Sequence, residues 1–76
     1  MKLEEVVSDV IQIPVGEVDD NLGPVRDARW TSLKQMQLII ALEERYGTSF
    51  SRQDVRAMKT VGAVREVLRS KGVSAA

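Results

Sequence analysis

The feature of this sequence that most restricts its fold is the strongly apolar segment 32–46, which Gly47 follows. At about 100° of rotation per residue, its apolar side chains cover well over half the circumference of an α-helix. A helix that is apolar over so much of its surface packs against more than one neighbour. The segment therefore predicts the central helix of a bundle, with its C-terminal stop at Gly47. The side chains expected to be buried are Leu33, Met36, Leu38, Ile39, Ile40, Leu42 and Tyr46.

The polar remainder of this predicted helix is a narrow stripe along one side. If the apolar side chains are all buried, the stripe is the only part of the helix that a partner can reach. Its first half carries a positive charge, and its single carboxylate lies near the C-terminal end. We call this set the polar stripe; it consists of Lys34, Gln37, Ala41, Glu44 and Arg45.

A second helical pattern occupies the start of the chain and gives way to a long irregular segment. Pro14 and Gly16 are expected to end this helix. Residues 13–31 show no sustained period, and a loop of this length in a small domain is often functional. The predicted buried face of the helix is Leu3, Val6, Val7, Val10 and Ile11, and the loop is expected to attach through Ile13, Val15, Val18, Leu22 and Val25.

Two capping patterns predict two further helices. Ser51 and Asp54 have the spacing of a capping box, which begins a short helix. Thr60 caps a last helix that ends before Gly72, and residues 73–76 are expected to form a frayed tail. Because no strand alternation is present, the sequence predicts one all-α domain over residues 1–76. It is a small four-helix bundle of three longer helices and one short helix, with a long first loop. The buried face of the last helix is predicted to be Val61, Val64, Val67 and Leu68.

The composition excludes several kinds of chemistry. The chain contains no cysteine and no histidine, so thiolates, the commonest general base and the commonest metal ligand are all missing. Asp19 and Asp20 begin a segment that faintly resembles a calcium loop, but Trp30 stands where that loop needs a glutamate. We therefore expect neither an enzyme nor a metal site.

Charge and hydropathy restrict the location and the partners. The longest apolar run, 38–42, is too short to span a bilayer, and the acidic N-terminus lacks a signal peptide's apolar core. A cytoplasmic protein without membrane association is expected. The zero net charge divides into −4 over residues 1–31 and +4 over residues 32–76. Because acidic residues interrupt the basic ones and the pI is near 6.2, a solvated mixed-charge surface is favoured over nucleic-acid binding.

Ser32 lies at the boundary between the long loop and the apolar helix. A hydroxyl at this position is at the positive end of the helix dipole, close to backbone N–H groups that have no partner in the helix. Such a helix end favours a phosphate ester. Taken alone, however, serine and threonine at helix starts are common, because both residue types cap helices well.

Four segments, in this order and at this spacing, give the chain a resemblance to the acyl carrier proteins: residues 6–15, 30–33, 38–50 and 58–62. In that family, a serine at the start of the second helix carries 4′-phosphopantetheine, whose thiol holds acyl groups as thioesters. The resemblance implies this role for Ser32 in a free-standing, monomeric carrier. It also implies two kinds of partner: a phosphopantetheinyl transferase, and acyl-loading and acyl-processing enzymes of a biosynthetic pathway.

Two departures from the family pattern bear on the pathway. Thr31 stands where the family has an aspartate, and the polar stripe begins with Lys34 and Gln37 where the family commonly has acidic residues. Polyketide or other specialised biosynthesis is therefore expected rather than housekeeping fatty-acid synthesis. The alternatives are an unmodified carrier-like interaction module and a small DNA-binding bundle. The residues expected to recognise partners are Thr31, Leu33, Lys34, Gln37, Ala41 and Glu44.

Overall fold

The computed structural model describes residues 2–73, and every regular element within them is helical. The predicted bundle of three longer helices and one short helix is confirmed, together with the long first loop. One 3₁₀ turn at Val15–Glu17, which the sequence did not predict, interrupts that loop. The four helices are α1 (Leu3–Ile11), α2 (Ser32–Tyr46), α3 (Arg52–Ala57) and α4 (Val61–Ser70).

The core lies where α1 meets α2 and α4. The predicted faces of α1 and α4 are confirmed, with Val10 and Val67 at their partly buried edges. α2 adds only two fully buried side chains, Leu38 and Leu42. The fully buried residues of α1 and α4 are Leu3, Val6, Val7, Ile11, Val61, Val64 and Leu68.

The prediction that α2 buries nearly all its apolar side chains is wrong. α2 packs mainly against α1, whereas the six-residue α3 packs against α4 and leaves the far side of α2 uncovered. Leu33 and Met36 are each 66% exposed, and Ile40 is 54% exposed. The polar stripe is therefore not the only accessible part of α2. We call Leu33, Met36 and Ile40 the apolar row.

Local capping interactions begin α2, α3 and α4, and the predicted caps of α3 and α4 and the predicted stop of α2 are confirmed. The cap of α2 is its preceding threonine, whose hydroxyl accepts a hydrogen bond from the Lys34 N–H at 3.3 Å. Each such bond gives a partner to an N–H group that the helix itself leaves free. The capping residues are Thr31 for α2, Ser51 with Asp54 for α3, and Thr60 for α4, and Gly47 ends α2 in the left-handed conformation with φ of 62°.

The end of α1 comes earlier than the proline and glycine that were expected to produce it. The chain leaves the helix at Gln12, which adopts φ of 65°, an uncommon conformation for a residue other than glycine. Two side chains bind carbonyl groups at this turn. The Ser8 hydroxyl donates to the Ile13 carbonyl at 2.6 Å, and Lys34 Nζ donates to the Ile11 carbonyl at 2.9 Å. These bonds help to hold the turn, because no N–H group within a helix donates to its last carbonyls.

The loop before α2 is attached by fewer apolar side chains than predicted. Ile13 and Val18 are buried, and Leu22 packs partly against the core, as expected. Val15, however, is 53% exposed and Val25 is 94% exposed, so neither anchors the loop.

Backbone hydrogen bonds attach the loop to the start of α4. The Val61 N–H donates to the Leu22 carbonyl at 2.9 Å, and the Gly62 N–H donates to the Asp20 carbonyl at 3.0 Å. Both donors belong to the first turn of α4, where the helix supplies no acceptors. The loop therefore provides partners that side-chain caps or water usually provide.

Gly23 makes this attachment sterically possible. A Cβ atom added at Gly23 would lie 2.1 Å from the Lys59 carbonyl oxygen, which is far inside van der Waals contact. The loop backbone can approach the α3–α4 junction this closely only because residue 23 has no side chain.

The predicted frayed tail is wrong for its first residue. Val73 packs against the core, and its N–H donates to the Leu68 carbonyl at 3.0 Å, after Gly72 turns the chain with φ of 77°. This arrangement closes the C-terminus of α4. The rest of the predicted tail, 74–76, lies outside the described residues.

Candidate functional site

Ser32 is the first residue of α2 and is exposed to solvent. The first N–H groups of the helix have no acceptor inside it, and no carboxylate lies in its first turn. The helix end therefore presents positive partial charge and backbone donors beside an accessible hydroxyl. A phosphate ester on that hydroxyl fits this environment.

Trp30 fixes the chain just before the serine. Its side chain is only 2% exposed, and it is one of the largest side chains in the core. The indole N–H donates to Gln35 Oε1 at 2.6 Å, and Gln35 Nε2 donates to the Met58 carbonyl oxygen at 3.2 Å. The exposed hydroxyl of Ser32 is thus held between a buried anchor and a capped helix.

Sequence reasoning did not place Trp30 in the core, although one signal could have found it. With Thr31 as the cap, Trp30 occupies the position before the cap and Gln35 the fourth helical position. Side chains at these two positions often contact each other and set the angle at which the chain enters the helix. Here the contact is a hydrogen bond rather than an apolar one.

An ion pair orders the turn that precedes the tryptophan. Arg29 Nη2 lies 2.7 Å from Asp27 Oδ2 and 2.9 Å from Glu17 Oε1. Hydrogen bonds from the side chain and backbone of Arg29 lower the pKa of Asp27 to about 2, and the same carboxylates raise the pKa of Arg29. The positive charge of Arg29 is therefore compensated by two carboxylates of the same loop.

A surface pocket of about 520 Å³ opens beside the serine. Its wall is mixed, with three apolar and three polar side chains. Trp30 is the only one of them that belongs to the buried core. The lining residues are Pro24, Trp30, Thr31, Ser32, Gln35 and Met36.

The structure engages two of the predicted recognition residues within the bundle. Lys34 is half-buried and donates to the carbonyl at the end of α1, and Ala41 packs partly against the core. The other four predicted residues are exposed: Thr31, Leu33, Gln37 and Glu44.

Further accessible residues near the site were missed by sequence reasoning. Met36 and Ile40 extend from Leu33 along the apolar row, and Val25 is exposed on the loop. The helical spacing of Leu33, Met36 and Ile40 is visible in the sequence, but the same spacing ordinarily indicates a buried face. Only the packing of α2 distinguishes the two cases.

Comparison with known proteins agrees with this geometry. Residues 2–68 match the family model described as a phosphopantetheine attachment site. An acyl carrier protein of Chlamydia caviae is 32% identical over 75 residues, which cover 93% of this chain and 97% of that protein. The polyketide-8 synthase acyl carrier protein 2 of Streptomyces avermitilis is 29% identical over 70 residues, covering 92% of this chain and 80% of that protein.

Structural comparison gives the same fold. A solved structure from Mycobacterium tuberculosis, provisionally designated an acyl carrier protein, superposes with a TM-score of 0.80. The two chains are 26% identical, and the match covers 91% of this chain and 92% of the other.

The helical fold and the match to a phosphopantetheine attachment model together define a phosphopantetheine-dependent carrier. The chain belongs to the acyl carrier protein family. Members of this family are carriers rather than enzymes, their cofactor is 4′-phosphopantetheine, and their partners are phosphopantetheinyl transferases and biosynthetic enzymes. Within residues 2–73, no helix is long and apolar enough to cross a membrane, and no group of acidic residues is placed to hold a metal ion.

Proposed function

We propose that Ser32 is the residue that carries 4′-phosphopantetheine. The observation that carries the proposal is the exposed hydroxyl at the positively polarised start of α2. The other serines within residues 2–73 lack this combination. The Ser8 and Ser70 hydroxyls donate to backbone carbonyls, and the Ser51 hydroxyl caps α3.

The chain's own residues position the group in three ways. Thr31 ends the loop as a cap, Trp30 anchors the preceding backbone, and the first turn of α2 supplies donors for phosphate oxygens. The bound group supplies the thiol that holds the acyl chain, which this chain cannot supply because it has no cysteine. That the domain acts as a free-standing protein stays a prediction.

We further propose a role in polyketide or other specialised biosynthesis. Two observations support it. The first turn of α2 has no carboxylate. The exposed residues of its N-terminal half are neutral, namely Ser32, Leu33, Met36 and Gln37, and the half-buried Lys34 is positively charged. In addition, one of the similar proteins is named as a polyketide synthase carrier. Partner enzymes that recognise an acidic surface find little to bind here, because charge complementarity steers association and rejects wrong partners.

Intact-mass measurement tests the attachment site. The protein is co-expressed with a broad-specificity phosphopantetheinyl transferase, and the mass should rise by one phosphopantetheinyl group. Ser32→Ala should abolish the increase, whereas Ser49→Ala, an exposed serine outside a helix start, should retain it. Persistent modification of the Ser32→Ala protein refutes the assignment. A wild-type protein that is never modified supports the alternative of an unmodified interaction module.

A further inference from the structure

Trp30 connects the pocket beside Ser32 with the interior of the bundle. It lines the pocket, and it also belongs to the buried core. None of the other five lining residues is buried. A chain that passes from the pocket into the core must therefore displace the indole.

Gln35 ties the indole in place across two parts of the fold. Its amide accepts from Trp30 Nε1 at 2.6 Å and donates to the Met58 carbonyl oxygen at 3.2 Å. Met58 is 1% exposed and follows α3, so the amide spans from α2 to the α3–α4 junction. Displacing the indole breaks its hydrogen bond to Gln35 Oε1 and removes a large side chain from the core, and both changes cost free energy.

We infer that Trp30, tied by Gln35, closes the core beneath the attachment site and keeps the acyl cargo at the surface pocket. This inference rests on the proposed attachment at Ser32. Apolar atoms make up most of the pocket's small exposed wall, which can cover only a short segment of an acyl chain. Long alkyl chains gain little there, because they gain most from burial in a fully apolar interior.

The test compares thioester protection across a series of acyl lengths. The protein is loaded at Ser32 with butyryl, octanoyl or palmitoyl groups, and cleavage of each thioester by neutral hydroxylamine is followed by intact mass. The protection factor is the cleavage rate of a fully exposed thioester divided by the observed rate. It equals one plus the ratio of sheltered to exposed cargo. Each methylene buried in an open core would raise that ratio about fourfold. We expect the wild-type protein to be cleaved at rates that agree within about twofold across the series, because its core stays closed.

Variants separate closure from general stability. Trp30→Ala should slow palmitoyl cleavage by more than about tenfold relative to butyryl, because it opens the path to the core. Gln35→Ala keeps the indole but removes the bridge, and should show the same trend with a smaller amplitude. Phe50→Ala is the control, because it removes an aromatic ring that packs against the core without lining the pocket. It should keep the rates independent of length.

A second readout uses the tryptophan itself, which is the only one in the chain. Its emission should be unchanged between the butyryl and palmitoyl forms of the wild-type protein. Three outcomes overturn the inference: wild-type protection that grows with length, a palmitoyl-dependent shift of emission, or a folded Trp30→Ala protein without length dependence. If Trp30→Ala does not fold, the wild-type series and Gln35→Ala decide. Absence of any loaded protein refutes the attachment at Ser32 first, and the inference with it.

Discussion

Gly23→Ala tests how the loop that leads to the serine is held. The added Cβ would lie 2.1 Å from the Lys59 carbonyl oxygen, and backbone atoms of residues 59 and 60 lie at 3.2 and 3.3 Å. An unstrained C···O contact is about 3.3 Å or longer, so the loop must move by about 1 Å. A shift of this size breaks the hydrogen bonds from Val61 and Gly62 to the loop, which measure 2.9 and 3.0 Å.

The expected loss follows from these contacts. Two hydrogen bonds contribute about 0.5–1.5 kcal/mol each. Strain from overpacking adds about 1–3 kcal/mol. Alanine also lowers the conformational entropy of the unfolded chain, which offsets about 0.4–1 kcal/mol of this loss. We therefore expect the free energy of unfolding to fall by about 1–5.6 kcal/mol, out of the roughly 4–11 kcal/mol typical of a domain of this size.

Urea unfolding followed by far-UV circular dichroism measures this loss. Gly16→Ala is the matched control, since no atom lies within 4 Å of its added Cβ and its φ is not positive. It should leave stability unchanged or raise it by up to about 1 kcal/mol. If Gly23→Ala unfolds at the same urea concentration as Gly16→Ala, the loop is not held by this close approach and the argument fails.

Four further predictions concern charge. Thr31→Asp should speed modification by a generic transferase several-fold, because it restores an exposed contact worth about 0.2–1 kcal/mol; equal initial rates for the two proteins would show the missing charge to be irrelevant. Gln37→Glu should improve turnover by partner enzymes that prefer an acidic second helix, more at low salt than at high salt, without loss of stability. Lys34→Glu adds the same kind of charge but removes the bond to the Ile11 carbonyl, so it should also lower the free energy of unfolding by about 0.5–1.5 kcal/mol in urea titrations. The ion pair lowers the pKa of Asp27 from 3.8 to about 2 in the folded protein, so its stabilisation is present above pH 4 and is lost as the pH falls towards 2. Asp27→Asn should therefore reduce the fall of the thermal midpoint between pH 4 and pH 2. An unchanged fall would contradict a stabilising role for the ion pair.

Helix boundaries could be predicted from the sequence because capping signals are local. Thr31, Gly47 and Thr60 lie within a few residues of the helix ends that they determine, and the structure places those ends as expected. The end of α1 was misplaced for the opposite reason. Besides the local bond from Ser8, the turn there is held by Lys34, which is distant in the chain and reaches the Ile11 carbonyl only after α2 has packed on α1.

Exposure could not be predicted in the same way. The apolar pattern of α2 shows which side chains share a face, but it does not show whether another helix covers that face. α3 has six residues and packs against α4, so the apolar row stays accessible. The position of the proposed attachment serine followed from the sequence. The burial of the tryptophan beneath it was missed. Its contact with Gln35 has a local signal at the start of α2, but its packing into the core depends on the folded arrangement of distant segments.

The attachment of the loop to α4 also has a kinetic consequence. Amide protons in the first turn of a helix ordinarily exchange rapidly with solvent deuterium, because nothing within the helix binds them. Here the amides of Val61 and Gly62 exchange only when the loop carbonyls of Leu22 and Asp20 release them. Their exchange rates therefore report the free energy of loop opening without any introduced label. That free energy can lie anywhere between local detachment of the loop and global unfolding.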